Sequence, residues 1–198
     1  MKTLILARHG ESELNVQGVV NGDSERVCRL TDAGRGQARR LGELVAAEPL
    51  DLCVTTAFAR TQETADVALA GRDVPRLVVP ELNEIGFGDF EALAFDEYRA
   101  WARSASPTDA PPGEGESRAA AVERYAWGFR VLLARPEGLV LAVVHGLPIR
   151  YVLNALAGAA PMPVLEQVPY GEPFRVSAGE LEEAVAELEA WAAAPTWS

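Results

Sequence analysis

The chain has 198 residues, 48% hydrophobic and 24% charged, enough for one well-buried core, and with no compositional break a single domain over 1–198 is expected. A net charge of -11 with no block of lysine and arginine argues against nucleic acid and anionic membranes as partners, so any anionic ligand must be attracted locally. The apolar stretch before Arg8 is too short for a secretory leader, no run approaches membrane-spanning length, and Cys28 and Cys53 show no CxxC or ligand spacing; the expectation is a cytoplasmic protein with no disulfide and no metal site.

The first predicted element is a strand, because Leu4, Ile5, Leu6 and Ala7 form a continuous apolar run that stops at Arg8, His9 and Gly10. A short irregular helix or loop follows over residues 11–20, and Asn21-Gly22-Asp23-Ser24 marks a turn. Thr31 is a plausible N-cap for a helix with Ala38, Leu41, Leu44 and Val45 on one face, ended by Pro49. A short strand over residues 51–55 leads to Arg60 at a strand-to-helix junction, a helix over 61–69 and a strand over 76–79 cut by Pro80. Residues 81–118 are acidic, with nine carboxylates against three arginines, and the Pro/Gly-rich piece 104–115 reads as a loop of lid-like length, so the lid-like insertion is placed at about 85–117.

Ser117 caps the next predicted helix, whose packing face is Val122, Tyr125, Phe129, Leu132 and Leu133. A second continuous apolar run, residues 139–144, ends at His145-Gly146, and a helix over 149–156 follows with Pro148 in its first turn. Residues 158–171 give no assignable pattern; Phe174-Arg175-Val176 reads as an edge strand, and residues 180–194 as an amphipathic helix with Leu181, Val185, Leu188 and Trp191 on one side. Strands alternating with helices predict an α/β fold, a mostly parallel sheet covered on both faces.

The chain has only two histidines, each at the end of a predicted central strand with glycine after it. Neighbouring parallel strands open onto one crevice, so His9 and His145 are expected side by side, within reach of Arg8 and Arg60. Two guanidiniums repel a divalent cation and no further ligand-spaced His or Cys is present, so metal is not expected. The same groups suit a phosphoryl group: guanidinium forks bind its oxygens, backbone N–H groups after Gly10 and Gly146 add donors, and a neutral imidazole can attack phosphorus.

Arg8-His9-Gly10-Glu11-Ser12 with Asn15, Leu30-Thr31 with Gly34 and Gln37-Ala38, Arg60 with Thr64-Ala65, Glu84 with Gly88 and Glu91, Gly115-Glu116-Ser117, and His145-Gly146 with Ile149-Arg150 form an ordered set over roughly residues 3–156. The set resembles the histidine phosphatase, or phosphoglycerate mutase-like, superfamily. The resemblance implies a three-layer α/β/α sandwich with a mostly parallel central sheet, and no cofactor. It implies His9 as the nucleophile that becomes phosphohistidine, Arg8, Arg60 and His145 as the pocket for the phosphoryl oxygens, and Glu84 as proton donor to the leaving oxygen. Asn15, Asn21, Gly22 and the N–H groups of Gly146 and Leu147 are candidate substrate contacts.

Membership of such a family leaves the acceptor open, since water or a second hydroxyl can take the phosphoryl group. The mutases carry a lysine after the glutamate and an Arg-Arg pair for phosphoglycerates; residues 85–117 have neither. The expected activity is therefore a metal-independent phosphomonoesterase acting on a small-molecule phosphate ester. A phosphoglycerate mutase or related phosphotransferase is the alternative, and a protein-phosphohistidine phosphatase or non-catalytic phosphate-binding relative a further one. Phe58, Phe87, Phe90 and Tyr98 suit either of two roles, a crevice wall that would give the leaving group apolar character or plain core packing. Leu14, Phe90, Ala92 and Leu147 depart from the residues frequent in the family and concern pocket shape. The oligomeric state stays open, with a homodimer among the options.

Overall fold

The computed structural model describes residues 1–197. Five strands, β1 (Thr3–Arg8), β2 (Leu52–Thr55), β3 (Arg76–Val78), β4 (Leu139–Val144) and β5 (Pro173–Ser177), form one sheet in the order β3-β2-β4-β1-β5. All neighbours are parallel except β5, which pairs antiparallel with β1.

The continuous apolar runs follow from burial on both faces of the sheet. In β1, Leu4 and Leu6 point to one side and Ile5 and Ala7 to the other; Val140, Ala142 and Val144 of β4 join the first set, and Leu141 and Val143 the second. The first side is covered by α5 (Arg118–Leu133), α6 (Gly146–Leu156) and α7 (Ala178–Ala193), the second by α2 (Asp32–Leu44) and α3 (Ala59–Ala68). The fold is therefore the expected three-layer sandwich. Two shorter helices, α1 (Glu13–Val16) and α4 (Phe95–Ser104), lie above the strand ends.

The capping chemistry sets several element starts. Thr31 and Ser117 accept hydrogen bonds from Gly34 N and Ala120 N, as expected of N-caps, and Ser177 with Glu180 forms a reciprocal capping box at the start of α7. Two elements differ from expectation. Helix α6 begins at Gly146 rather than near Pro148, because the extended backbone of His145 already serves as its N-cap. Helix α4 forms inside the acidic stretch, burying Tyr98 and Ala102, although its N-cap is Ala94 without a capping side chain.

Gly10 has a packing reason to be glycine: a Cβ there would lie 2.5 Å from Gly34 O, in the first turn of α2. This close approach locks the loop after β1 onto α2. Both cysteines are buried and unbonded.

Candidate active site

Parallel pairing of β1 with β4 places Arg8 opposite Val144, and His9 N donates to Val144 O at 3.0 Å. His9 and His145 therefore leave the sheet side by side, ring centroids 5.3 Å apart. Arg60, in the first turn of α3, reaches both: its Nε donates to His9 Nε2 at 3.1 Å and its Nη2 to His145 Nδ1 at 3.3 Å.

A guanidinium only donates, so both of these ring nitrogens must carry a lone pair. The tautomers follow. His9 holds its proton on Nδ1, which donates to Gly10 O at 2.8 Å, and His145 holds its proton on Nε2, which donates to Thr56 Oγ1 at 2.9 Å. Thr56 in turn contacts Thr61 Oγ1 at 3.0 Å, and Thr61 donates to Phe58 O at 2.8 Å, ending the chain on a backbone carbonyl. Burial, followed by the charges of Arg60 and Arg8, holds His9 well below the usual imidazole range; burial and Arg60 do the same to His145. Both rings are neutral at neutral pH.

The arginines are anchored without carboxylate partners. Arg60 donates to Asn21 Oδ1 and, at 3.0 Å, to Asn21 O, and lies 4.2 Å from the Phe58 ring centroid; burial lowers its pKa to about 10, so it stays charged at neutral pH. Arg8 donates to Val168 O at 2.8 Å and Gln167 Oε1 at 3.2 Å and stacks 4.0 Å from the Tyr170 ring centroid. Glu84 brings Oε2 to 3.9 Å from His145 Nδ1. Its segment is fixed by Arg124, which donates to Glu81 O and Asn83 O at 2.8 and 3.0 Å and pairs with Glu116, while Asn83 Oδ1 accepts from Ala57 N at 2.9 Å.

Arg8, His9, Arg60 and Glu84 line a cavity of about 280 Å³, as do Asn15, Asn21, Gly146 and Leu147. His145 does not line it; fully buried, it sits behind Arg60 and Glu84. Two expectations are corrected. Gly22 is no part of the lining, because its N–H donates to Glu91 Oε1 at 2.7 Å. The N–H groups after Gly10 are also taken, Glu11 N by Gln37 Oε1 at 2.8 Å and Ser12 N by Asn15 Oδ1 at 3.0 Å. Gly146 and Leu147, opening α6 beside the cavity, keep the helix N-terminal donors.

The cavity walls also differ from the expected lid. Ile85, Phe87, Phe95 and Tyr98 line it, but the Pro-rich loop packs behind them, with Asp89 N donating to Pro112 O at 2.7 Å. The opposite wall is the segment Pro163–Val168 with Tyr170, in the stretch that gave no sequence pattern. Its main hold on Arg8 is the Val168 carbonyl, which any residue would supply and no side-chain pattern announces. Thr56 and Arg118 were legible only as polar residues at element ends, and Arg124 only as a polar residue within a predicted helix. Phe58 packs edge-on against His145 rather than lining the cavity, and Phe90 packs on Tyr98 and Trp101.

The chain is 39% identical over 123 residues to an adenosylcobalamin/alpha-ribazole phosphatase of Salmonella typhimurium, covering 57% of this chain and 58% of that protein. It is 33% identical over 184 residues to a 2,3-bisphosphoglycerate-dependent phosphoglycerate mutase of Brucella melitensis, covering 84% and 86% of the two chains. Among solved structures, the alpha-ribazole phosphatase from Shigella flexneri superposes with a TM-score of 0.74 at 29% identity, covering 87% of this chain and 89% of that one. The family description of the histidine phosphatase superfamily (branch 1) matches residues 4–193. With its paired strand-end histidines on a mostly parallel sheet, this chain belongs to the histidine phosphatase superfamily.

Proposed function

We propose that the protein is a metal-independent phosphomonoesterase that hydrolyses a small-molecule phosphate ester through a phosphohistidine on His9. The observation that carries this reading is the state of His9: neutral, with Nδ1–H held by Gly10 O and the Nε2 lone pair turned toward Arg60 at the cavity wall.

An entering phosphoryl group competes with both imidazoles for the N–H groups of Arg60. Its oxygens draw that fork and Arg8 to themselves, which frees His9 Nε2 to attack phosphorus. As the N–P bond forms and the P–O ester bond breaks, protonated Glu84 gives its proton to the leaving alkoxide oxygen. The resulting Glu84 carboxylate then takes a proton from water as the water oxygen attacks phosphorus. The P–N bond breaks, phosphate leaves and neutral His9 is restored. Arg8, Arg60 and the N–H groups opening α6 stabilise charge on the equatorial oxygens, and His145, from behind, orients Arg60 and Glu84.

The test is phosphate release from p-nitrophenyl phosphate and alpha-ribazole phosphate in the presence of a chelator, with an alkaline denaturing quench of enzyme incubated with radiolabelled ester to trap the acid-labile, base-stable phosphohistidine. Turnover that survives chelation, and both turnover and trapped label lost in His9→Ala, is the expected result. Wild-type rates in His9→Ala would refute the nucleophile.

The likeness to a phosphoglycerate mutase over 84% of the chain favours one second reading, transfer to another hydroxyl from the same phosphohistidine. Interconversion of 2- and 3-phosphoglycerate primed by the bisphosphate would establish it, and its absence alongside hydrolysis leaves the phosphatase.

A further inference from the structure

Although the chain carries a net charge of -11, its cavity is lined by five arginines (Arg8, Arg60, Arg99, Arg118 and Arg150) and only two carboxylates, Glu84 and Glu166. Arg8 and Arg60 flank His9. Arg150 is spent on the backbone, donating to Glu166 O and Gln167 O, and Arg99 faces Asp96 at 4.0 Å.

Arg118 is different. The first residue of α5, it has no ion pair among the described residues; its one hydrogen bond goes to Tyr151 Oη at 3.2 Å, and its buried Nε has no partner. Tyr98, 2% exposed and also lining the cavity, has a hydroxyl without a partner, and its ring centroid lies 5.7 Å from the Arg118 guanidinium carbon. Two unsatisfied donors therefore converge on one end of the cavity. A buried cation with no counter-charge is costly, and a fork-shaped donor is best satisfied by a planar or tetrahedral oxyanion. Leu14, Phe87, Phe95, Leu147 and Leu165 supply apolar wall to the same cavity.

We infer that Arg118 and the Tyr98 hydroxyl form a leaving-group subsite for a second anionic group, carboxylate or phosphate, carried by the alcohol of the phosphate ester. The inference rests on the phosphohistidine reading of His9 and names the class of substrate for it: an ester with an apolar body and a second oxyanion at its far end. Arg118 is then a specificity-determining residue, touching the leaving group and leaving the chemistry to His9 and Glu84.

The test compares kcat/KM for butyl phosphate, 3-carboxypropyl phosphate and butane-1,4-diyl bisphosphate, which share one carbon chain. The wild-type protein is expected to prefer one or both anionic esters over butyl phosphate by about tenfold or more. The carboxylate and bisphosphate arms tell which oxyanion the subsite takes. Arg118→Met is expected to bring that ratio to within about threefold of one, mainly through KM, and Arg118→Lys to give an intermediate ratio. An unchanged ratio in folded Arg118→Met overturns the subsite. If that variant does not fold, Arg118→Lys and Tyr98→Phe decide, and ratios unchanged in both overturn it equally. His9-dependent hydrolysis with no wild-type preference removes the subsite alone. No turnover of any ester, with none of the phosphate released from p-nitrophenyl phosphate, removes the phosphatase reading and the subsite with it.

Discussion

His9, His145 and Arg60 are three side chains whose protonation is fixed by one another. Arg60 can only donate, so each imidazole turns a lone pair to it and sends its single proton away from it, to Gly10 O in one case and Thr56 Oγ1 in the other. Thr56 thus sets the His145 tautomer without lining the cavity. Thr56→Val removes the acceptor for Nε2–H while keeping the shape, and kcat is expected to fall by about tenfold or more, since a mis-set tautomer has cost other hydrolases more than that. Thr56→Ser, which keeps the hydroxyl, should restore most of the rate; failure of serine to rescue, with the fold intact by circular dichroism, would show that packing and not the tautomer matters. Glu84 is tested by leaving-group dependence. In Glu84→Gln the rate loss should be small for p-nitrophenyl phosphate and about a hundredfold or more for alkyl phosphates, whose alkoxides need a proton. Equal losses for both esters would remove Glu84 from the proton-donor role.

At the level of elements, what was legible followed from periodicity and what was missed came from backbone. The buried strands announced themselves because both faces of β1 and β4 are covered, and Thr31 and Ser117 announced α2 and α5 because a hydroxyl at an N-cap has a specific backbone N–H to satisfy. Helix α4 was hidden because Ala94 provides no cap and its acidic first turn resembles the loop around it. The wall at Pro163–Val168 was hidden because it has neither period and grips Arg8 chiefly by a carbonyl. His9, Arg8, Arg60, Glu84 and His145 were legible as strand-end or junction residues with a family pattern; Thr56, Tyr170 and Arg118 act through contacts between distant segments, which no local pattern encodes. Ala92 illustrates the same division. It stands where glycine is frequent in the family, and its φ of +64° puts an alanine in the left-handed region, which costs a non-glycine residue about 1 kcal/mol. Its N–H donates to Val20 O, so the conformation is held by pairing with the segment beside the cavity. Ala92→Gly is expected to raise the melting temperature by roughly 2–4 °C, and a lower melting temperature would show that the added backbone freedom outweighs the relieved strain.

For the molecule as a whole, the arginine-rich cavity in an acidic chain makes the site the place where folding and charge are coupled. Both histidines are buried there as neutral rings, at 1% and 0% exposure, and both are held well below their ordinary value by burial and the neighbouring guanidiniums. In the unfolded chain each titrates near 6.5. As pH falls through that value the unfolded state takes up two protons that the folded state refuses, so the contribution of these rings is fully present above about pH 6.5 and is lost progressively below it. For two such groups the loss between pH 7.5 and 5.5 is about 2.7 kcal/mol. Glu91 works in the opposite sense, because burial raises its carboxyl and the folded state binds its proton more readily, but that effect belongs nearer the carboxylate range. Urea unfolding at the two pH values, with two-state fits, measures the difference directly. His9→Gln and His145→Gln should each remove about half of it, since glutamine keeps a polar side chain and loses the titration. If the wild-type stability is flat across this interval, the two imidazoles are not excluded from protonation in the folded state, and the neutral His9 that the proposed nucleophilic attack requires would have to be produced by substrate binding.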